Sequence, residues 1–160
     1  MANYKRIFED GYSYYLTIVT HQRNPILIEN ITLLREGFRV SKIQYNYKIN
    51  EIVVLPDHFH MIITPAYAND YPHIVRTIKQ YFSKYCDPKY YIHLEQSKSR
   101  NKEGYRPVWQ KKYYEHTIRD EKDFQEKVRY MYNNPVKHGW VEKEKDWEYS
   151  SFKRLHKGGR

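Results

Sequence analysis

The chain has 160 residues, a length that suits one domain around a single core, and its 28 Lys and Arg against 19 Asp and Glu leave a formal net charge of +9. That balance points first to nucleic acid and second to an anionic membrane surface. Membrane is disfavoured, because no apolar run approaches about 18 residues and no basic amphipathic segment stands out. One cysteine, Cys86, excludes an intrachain disulfide and any cysteine-rich zinc site. The opening MANYKRIFEDGYSYY lacks the apolar stretch of a secretory signal, so the expected location is the cytoplasm.

In chain order, residues 12–19 (YSYYLTIV) are aromatic and β-branched and predict a strand. A loop through Arg23, Asn24 and Pro25 follows. Leu34, Phe38, Ser41 and Tyr45 recur at helical spacing and predict a helix over roughly 32–47. Residues 51–55 (EIVVL) form a buried strand, Pro56-Asp57 turns the chain, and residues 58–64 (HFHMIIT) return as its hairpin partner. Asp70 is placed to cap a second helix with Pro72 in its first turn and Ile74, Ile78 and Phe82 as its apolar stripe. The polar, basic stretch 87–107, broken by Pro88 and Gly104, reads as a mobile loop. A fourth strand is expected over 108–118 (VWQKKYYEHTI).

Strand, helix, strand, strand, helix, strand is the ferredoxin-like α+β order β-α-β-β-α-β, with two helices on one sheet face and the other face available. A third helix follows. Asp120 is a suitable N-cap, Phe124, Val128 and Met131 form the apolar stripe, and Pro135 is expected to end it. One domain over 1–160 is expected, with its core over about 10–140 and a basic tail from about 141 that carries Lys153, Arg154 and Lys157 and no acid after Glu148.

The chemistry concentrates at two places. On the strand, His58, His60 and Ile62 share one side and Phe59, Met61 and Ile63 the other, so two imidazoles can hold one metal ion between them. An isolated H-x-H is a weak signal, and a metal site needs a third ligand. On the third helix, Tyr130 falls about 120° from the apolar stripe and is not a core residue, whereas Tyr132 lies within about 40° of Val128 and reads as packing. Asn134, one turn beyond Tyr130, projects from the same side. Two histidines, an amide and a phenol are the parts of a nuclease in which a metal polarises a phosphate and a tyrosine oxygen attacks it. Tyrosine is also abundant, 18 residues in all, but a low-GC codon bias produces such counts as readily as a base-stacking surface does.

PDHFHMI (56–62) resembles the His-hydrophobe-His motif of the HUH endonucleases. VWQKKYYEHTIRDEKDF (108–124), YMYNNPVKHGWV (130–141) and DWEYSSF (146–152) together resemble the REP-associated tyrosine transposases, single-tyrosine members of that group. The resemblance runs from TIVTHQRNPIL (17–27) to the tail. It implies a ferredoxin-like core with the catalytic tyrosine on a C-terminal helix, and an enzyme that nicks single-stranded DNA near hairpins. Such an enzyme forms a 5′-phosphotyrosine, releases a 3′-OH and can rejoin strands. It carries the nucleophile to Tyr130 and the metal ligands to His58, His60 and Asn134, with Mg²⁺ or Mn²⁺ as the metal, and implies a monomer or homodimer. No small-molecule cofactor is expected. Lys137, His138, Arg119 and Arg129 near the tyrosine helix, and Arg76 and Lys79 on the second helix, are the candidate DNA-binding cations. The competing reading is a non-catalytic module that binds single-stranded nucleic acid, which has no use for the histidines, tyrosine and amide at one point.

Overall fold

The computed structural model describes residues 11–155. Four strands form one antiparallel sheet in the order β2-β3-β1-β4: β1 Tyr14–Val19, β2 Tyr47–Val54, β3 His58–Pro65 and β4 Tyr114–Thr117. This is the ferredoxin-like arrangement. β3 and β1 lie at the centre, paired from Tyr14 opposite Ile63 to Val19 opposite His58. Strand alternation then divides the sheet's side chains between two layers.

One face is apolar throughout. Tyr14, Leu16 and Ile18 of β1 and Phe59, Met61 and Ile63 of β3 pack against α1 (Ile31–Gln44) and α2 (Tyr71–Tyr85). The stripe Ile74, Ile78 and Phe82 is fully buried, as its spacing requires. The two helices approach closely at Gly37, where a Cβ would sit 3.3 Å from the Ile78 carbonyl oxygen. The opposite face is not left open. α4 (Glu121–Lys137) lies across its lower half and seals a second cluster from Tyr15, Val53, Leu55 and Ile62 with Val128, Met131 and Tyr132.

Several boundaries differ from the sequence reading. α1 stops at Gln44, because Tyr45 turns extended and Tyr47 already belongs to β2. Asp70 makes no capping bond, since a 3-10 turn at Ala68–Asp70 feeds directly into α2. The fourth strand is shorter than expected. Trp109 makes only an isolated bridge to Thr20 and turns its ring into the core, where its Nε1 donates to the Lys79 carbonyl at 3.1 Å.

The stretch 87–107 is structured rather than loose. It contains a 3-10 turn capped by Asp87 and the short α3 (Lys98–Lys102) capped by Ser97, and Asn24 Nδ2 and Arg100 Nη2 pin it at 2.7 and 3.0 Å.

Asp120 does cap α4, accepting from the Asp123 amide at 2.7 Å. Pro135 sits inside that helix rather than after it. It can donate no bond to the Met131 carbonyl. The last turn closes around it, through His138 N to Asn134 O and Trp140 N to Pro135 O, with Gly139 at φ 78°.

The tail is anchored as well. Trp147 Nε1 donates to Val54 O at 2.8 Å, and the Ser151 amide donates to Ile52 O at 2.9 Å along the β2 edge. The described part of the tail reaches the short α5 (Phe152–Leu155), and Lys157 lies outside the described residues. No helix among the described residues is long and apolar enough to cross a membrane.

Candidate active site

The upper half of the α4 face is polar. Because Thr17 pairs with His60 across β1 and β3, Tyr15, Thr17, His58 and His60 converge there. With Tyr114, Lys127 and Tyr130 they line a cleft of about 450 Å³. The two imidazoles lie edge to face with ring centroids 4.8 Å apart. Both are buried, yet neither is a filler of the core, because each is held through Nδ1. His58 Nδ1 lies 2.6 Å from Asp57 Oδ1, and Asp57 Oδ2 in turn accepts from Arg23 at 3.2 Å. Arg23 reaches it from a left-handed backbone at φ 52°. His60 Nδ1 lies 2.8 Å from Thr17 Oγ1 and 3.0 Å from the Tyr15 hydroxyl.

These bonds direct the other ring nitrogens toward the cleft. His60 Nε2 is buried and has no hydrogen-bond partner, and the same holds for Asn134 Oδ1 on α4. A buried polar atom left unpaired costs roughly 1–3 kcal/mol, so the His60 nitrogen at the cleft, and separately the Asn134 oxygen on α4, each ask for a partner. Burial, reinforced by His58, pushes the His60 pKa down to about 3, and burial also lowers that of His58. Both rings are therefore neutral near neutral pH and offer lone pairs. No three His, Cys, Asp or Glu side chains cluster at metal-binding spacing among the described residues. A third protein donor must be of another kind, and an amide oxygen is one. By their chemistry, two neutral imidazoles and an amide oxygen are donors that a divalent cation accepts.

Tyr130 and Tyr132 separate as the helix phase demands. Tyr130 is 52% exposed and stands edge-on to His60, with ring centroids 5.6 Å apart. Tyr132 is 3% exposed and its hydroxyl is bonded to Glu51 and Ser151. Among the candidate cations, Arg129 is exposed beside Tyr130, and Lys137 and His138 are exposed one turn past Asn134. Arg119 lies at the far end of α4, where its amide donates to Asp123. Arg76 and Lys79 are not at the cleft at all, since α2 covers the other sheet face. Sequence reasoning missed Asp57, Arg23, Thr17 and Tyr15. Asp57 was findable as the neighbour of His58, whereas Thr17 and Tyr15 required the strand register and Arg23 the left-handed turn after β1.

A profile of the family described as transposase IS200 like matches residues 9–134. The chain belongs to the IS200-like transposase family. This transposase is 35% identical to a candidate REP-associated tyrosine transposase of Haemophilus influenzae, over 96% of this chain and 87% of that protein. It is 33% identical to the REP-associated tyrosine transposase of Escherichia coli, over 96% of this chain and 84% of the relative. Its fold superposes with a TM-score of 0.78 on a solved REP-associated tyrosine transposase bound to a REP hairpin, at 33% identity and over 96% of this chain and 84% of that one.

Proposed function

We propose that this transposase is a metal-dependent single-strand DNA endonuclease and strand transferase that acts at REP-type hairpins through a 5′-phosphotyrosine on Tyr130. The observation that carries the reading is the pair of buried, unpartnered donors, His60 Nε2 and Asn134 Oδ1, beside an exposed tyrosine. The hairpin is proposed because a similar solved transposase is bound to one.

His58, His60 and Asn134 would hold Mg²⁺ or Mn²⁺, which when bound neutralises charge on the scissile phosphate. Thr17 and Asp57 fix the two imidazoles so that their free nitrogens stay aimed at the cleft. The Tyr130 oxygen attacks phosphorus as the bond to the 3′ oxygen breaks. The phenolic proton is lost and the departing oxygen gains one, so the products are a 5′-phosphotyrosine and a 3′-OH. The new ester retains the phosphodiester's energy, and the reverse attack by a 3′-OH rejoins strands without ATP. Lys127 at the cleft and Lys137 and His138 beyond it supply positive charge for the flanking phosphates.

The test is incubation of the protein with a single-stranded hairpin oligonucleotide labelled at its 3′ end, with Mn²⁺ or Mg²⁺ added and then chelated, followed by a denaturing gel. A metal-dependent covalent adduct is expected, and it is expected to vanish in Tyr130→Phe while DNA affinity persists. Binding without any adduct in either metal would instead favour the non-catalytic module.

A further inference from the structure

A second concavity, of about 300 Å³, lies on the other side of the segment that leads into β4, between α2 and residues 100–113. It shares no lining residue with the histidine cleft, but the same stretch of backbone separates the two, with Tyr113 facing one and Tyr114 the other. Five cationic side chains line it, Arg76, Lys79, Arg100, Arg106 and Lys111, and no acidic one does.

Two of these cations are placed at a cost. Lys79 Nζ donates to Gln110 O at 3.0 Å, and Arg100 Nη2 donates to Trp109 O at 3.0 Å, on adjacent carbonyls. Neither forms an ion pair among the described residues. Burial and the neighbouring Arg100 lower the Lys79 pKa to about 8, so this ammonium lacks a counter-charge in its present surroundings. Each retains further donors, since an ammonium has three and a guanidinium five. The floor is apolar, built from Pro72, Val75 and the edge of Trp109, and the exposed ring of Tyr105 stands beside it with Arg100 5.6 Å from its centroid. Paired cations without a carboxylate call for an anion, and an apolar floor beside an aromatic ring calls for a flat, uncharged group. A nucleotide carries both.

We propose that this pocket holds one unpaired nucleotide of the bound DNA strand, its phosphate on Lys79 and Arg100 and its base against the floor and Tyr105. The inference rests on the DNA-strand reading above and adds a second anchoring point across the β4 edge from the cleft. It assigns Arg100, Arg106 and Lys111 to the DNA track together with Arg76 and Lys79.

The test pairs protein variants with single-atom changes in the DNA. Each phosphate of the single-stranded flanks of a hairpin is replaced in turn by an uncharged methylphosphonate, and affinities are read by fluorescence anisotropy. The proteins are the wild type, Lys79→Met, Lys79→Arg and the doubly exposed variant Arg76→Gln/Lys111→Gln. One or two adjacent positions should cost the wild type roughly tenfold, the worth of a charge-assisted hydrogen bond. The same positions should cost Lys79→Met nothing, and Lys79→Arg should recover the effect. The salt slope should fall by roughly 0.7 for each phosphate no longer neutralised. Should Lys79→Met lower the thermal midpoint, the double variant carries the comparison, because its side chains are exposed. Equal losses at every position in all four proteins would overturn the pocket and leave the general reading intact. A wild-type protein that binds no strand would overturn both. Competition by inorganic phosphate alone as strong as by an oligonucleotide would reassign the site to a free anion and overturn the proposal.

Discussion

At the scale of single residues, two tyrosines two positions apart have opposite surroundings. Tyr132→Phe removes a hydroxyl bonded to Glu51 and Ser151 in the core, so it should lower stability by about 1–3 kcal/mol and leave adduct formation in the folded protein. Tyr130→Phe should do the reverse, and thermal melts alongside the adduct assay separate the two. If Tyr132→Phe alone abolished the adduct, the nucleophile would be misassigned. The separation was legible in the sequence because it depends only on helix phase. Its cause was not. Glu51 reaches Tyr132 because it alternates with Val53 and Leu55 onto the α4 face, while the register shift between Ile49 and Glu51 leaves Ile49 on the opposite face. Alternation places Glu51 on that side, but nothing in the sequence says which α4 side chain it meets. His60 yields a second prediction. Burial holds its folded pKa at about 3 against an unfolded value of 6.5, so the unfolded chain binds the extra proton first. The stability this neutral ring contributes is complete above about 6.5 and is lost as pH falls from there toward 3. With a chelator present, the urea midpoint should drop between pH 7 and pH 5, and the drop should shrink in His60→Gln. A midpoint flat across that range would show that His60 titrates normally.

At the scale of elements, the pattern of strands and helices was readable because each apolar stripe has one periodicity, as in Ile74, Ile78 and Phe82. The errors fall where a tertiary contact overrules local preference. Pro135 is tolerated in α4 because it stands near the end, where the following turn supplies other closing bonds. The shortened fourth strand follows from Trp109, whose ring is drawn between Phe59 and Phe82 and takes the backbone out of the ladder. The tail was read as a cationic appendage because nothing in its composition marks its partners. In the fold it carries Trp147, which bonds to Val54 O and stacks on Trp140 at 5.4 Å, and Trp140 stacks in turn on His138 at 4.9 Å. This ladder ties the end of α4 to the β2 edge. Trp147→Ala should therefore cost on the order of 1–3 kcal/mol through the missing bond and stacking, and should expose the segment after Gly139 to limited proteolysis before the rest of the molecule. Cleavage that begins instead in 87–107 would mean that the tail is not what the tryptophan secures.

For the whole molecule, the net charge of +9 announces an anionic partner but not where that partner lies. The sheet resolves this by giving its two faces different work. One is committed to the helical core, and the other holds the histidines and the tyrosine, so the proposed chemistry would fall on the α4 side while the basic pocket beside α2 opens past the short β4 edge. A four-residue edge strand is what allows the two sites to stand back to back. A strand of DNA running from one to the other would meet cations at both ends, and its affinity would be largely electrostatic. If roughly five phosphates are neutralised, affinity for a single strand should fall about a hundredfold between about 50 and about 200 mM salt, following a slope of roughly −0.7 per phosphate. Anisotropy titrations at several salt concentrations measure that slope directly. Duplex DNA of the same length is the informative comparison, because the separation of the two sites by the β4 edge requires a backbone that bends sharply. The single strand or hairpin flank should therefore retain its advantage over duplex at every salt concentration. A preference that disappears once the salt is raised would mean that charge alone, and not the shape of the two-sided track, selects the DNA.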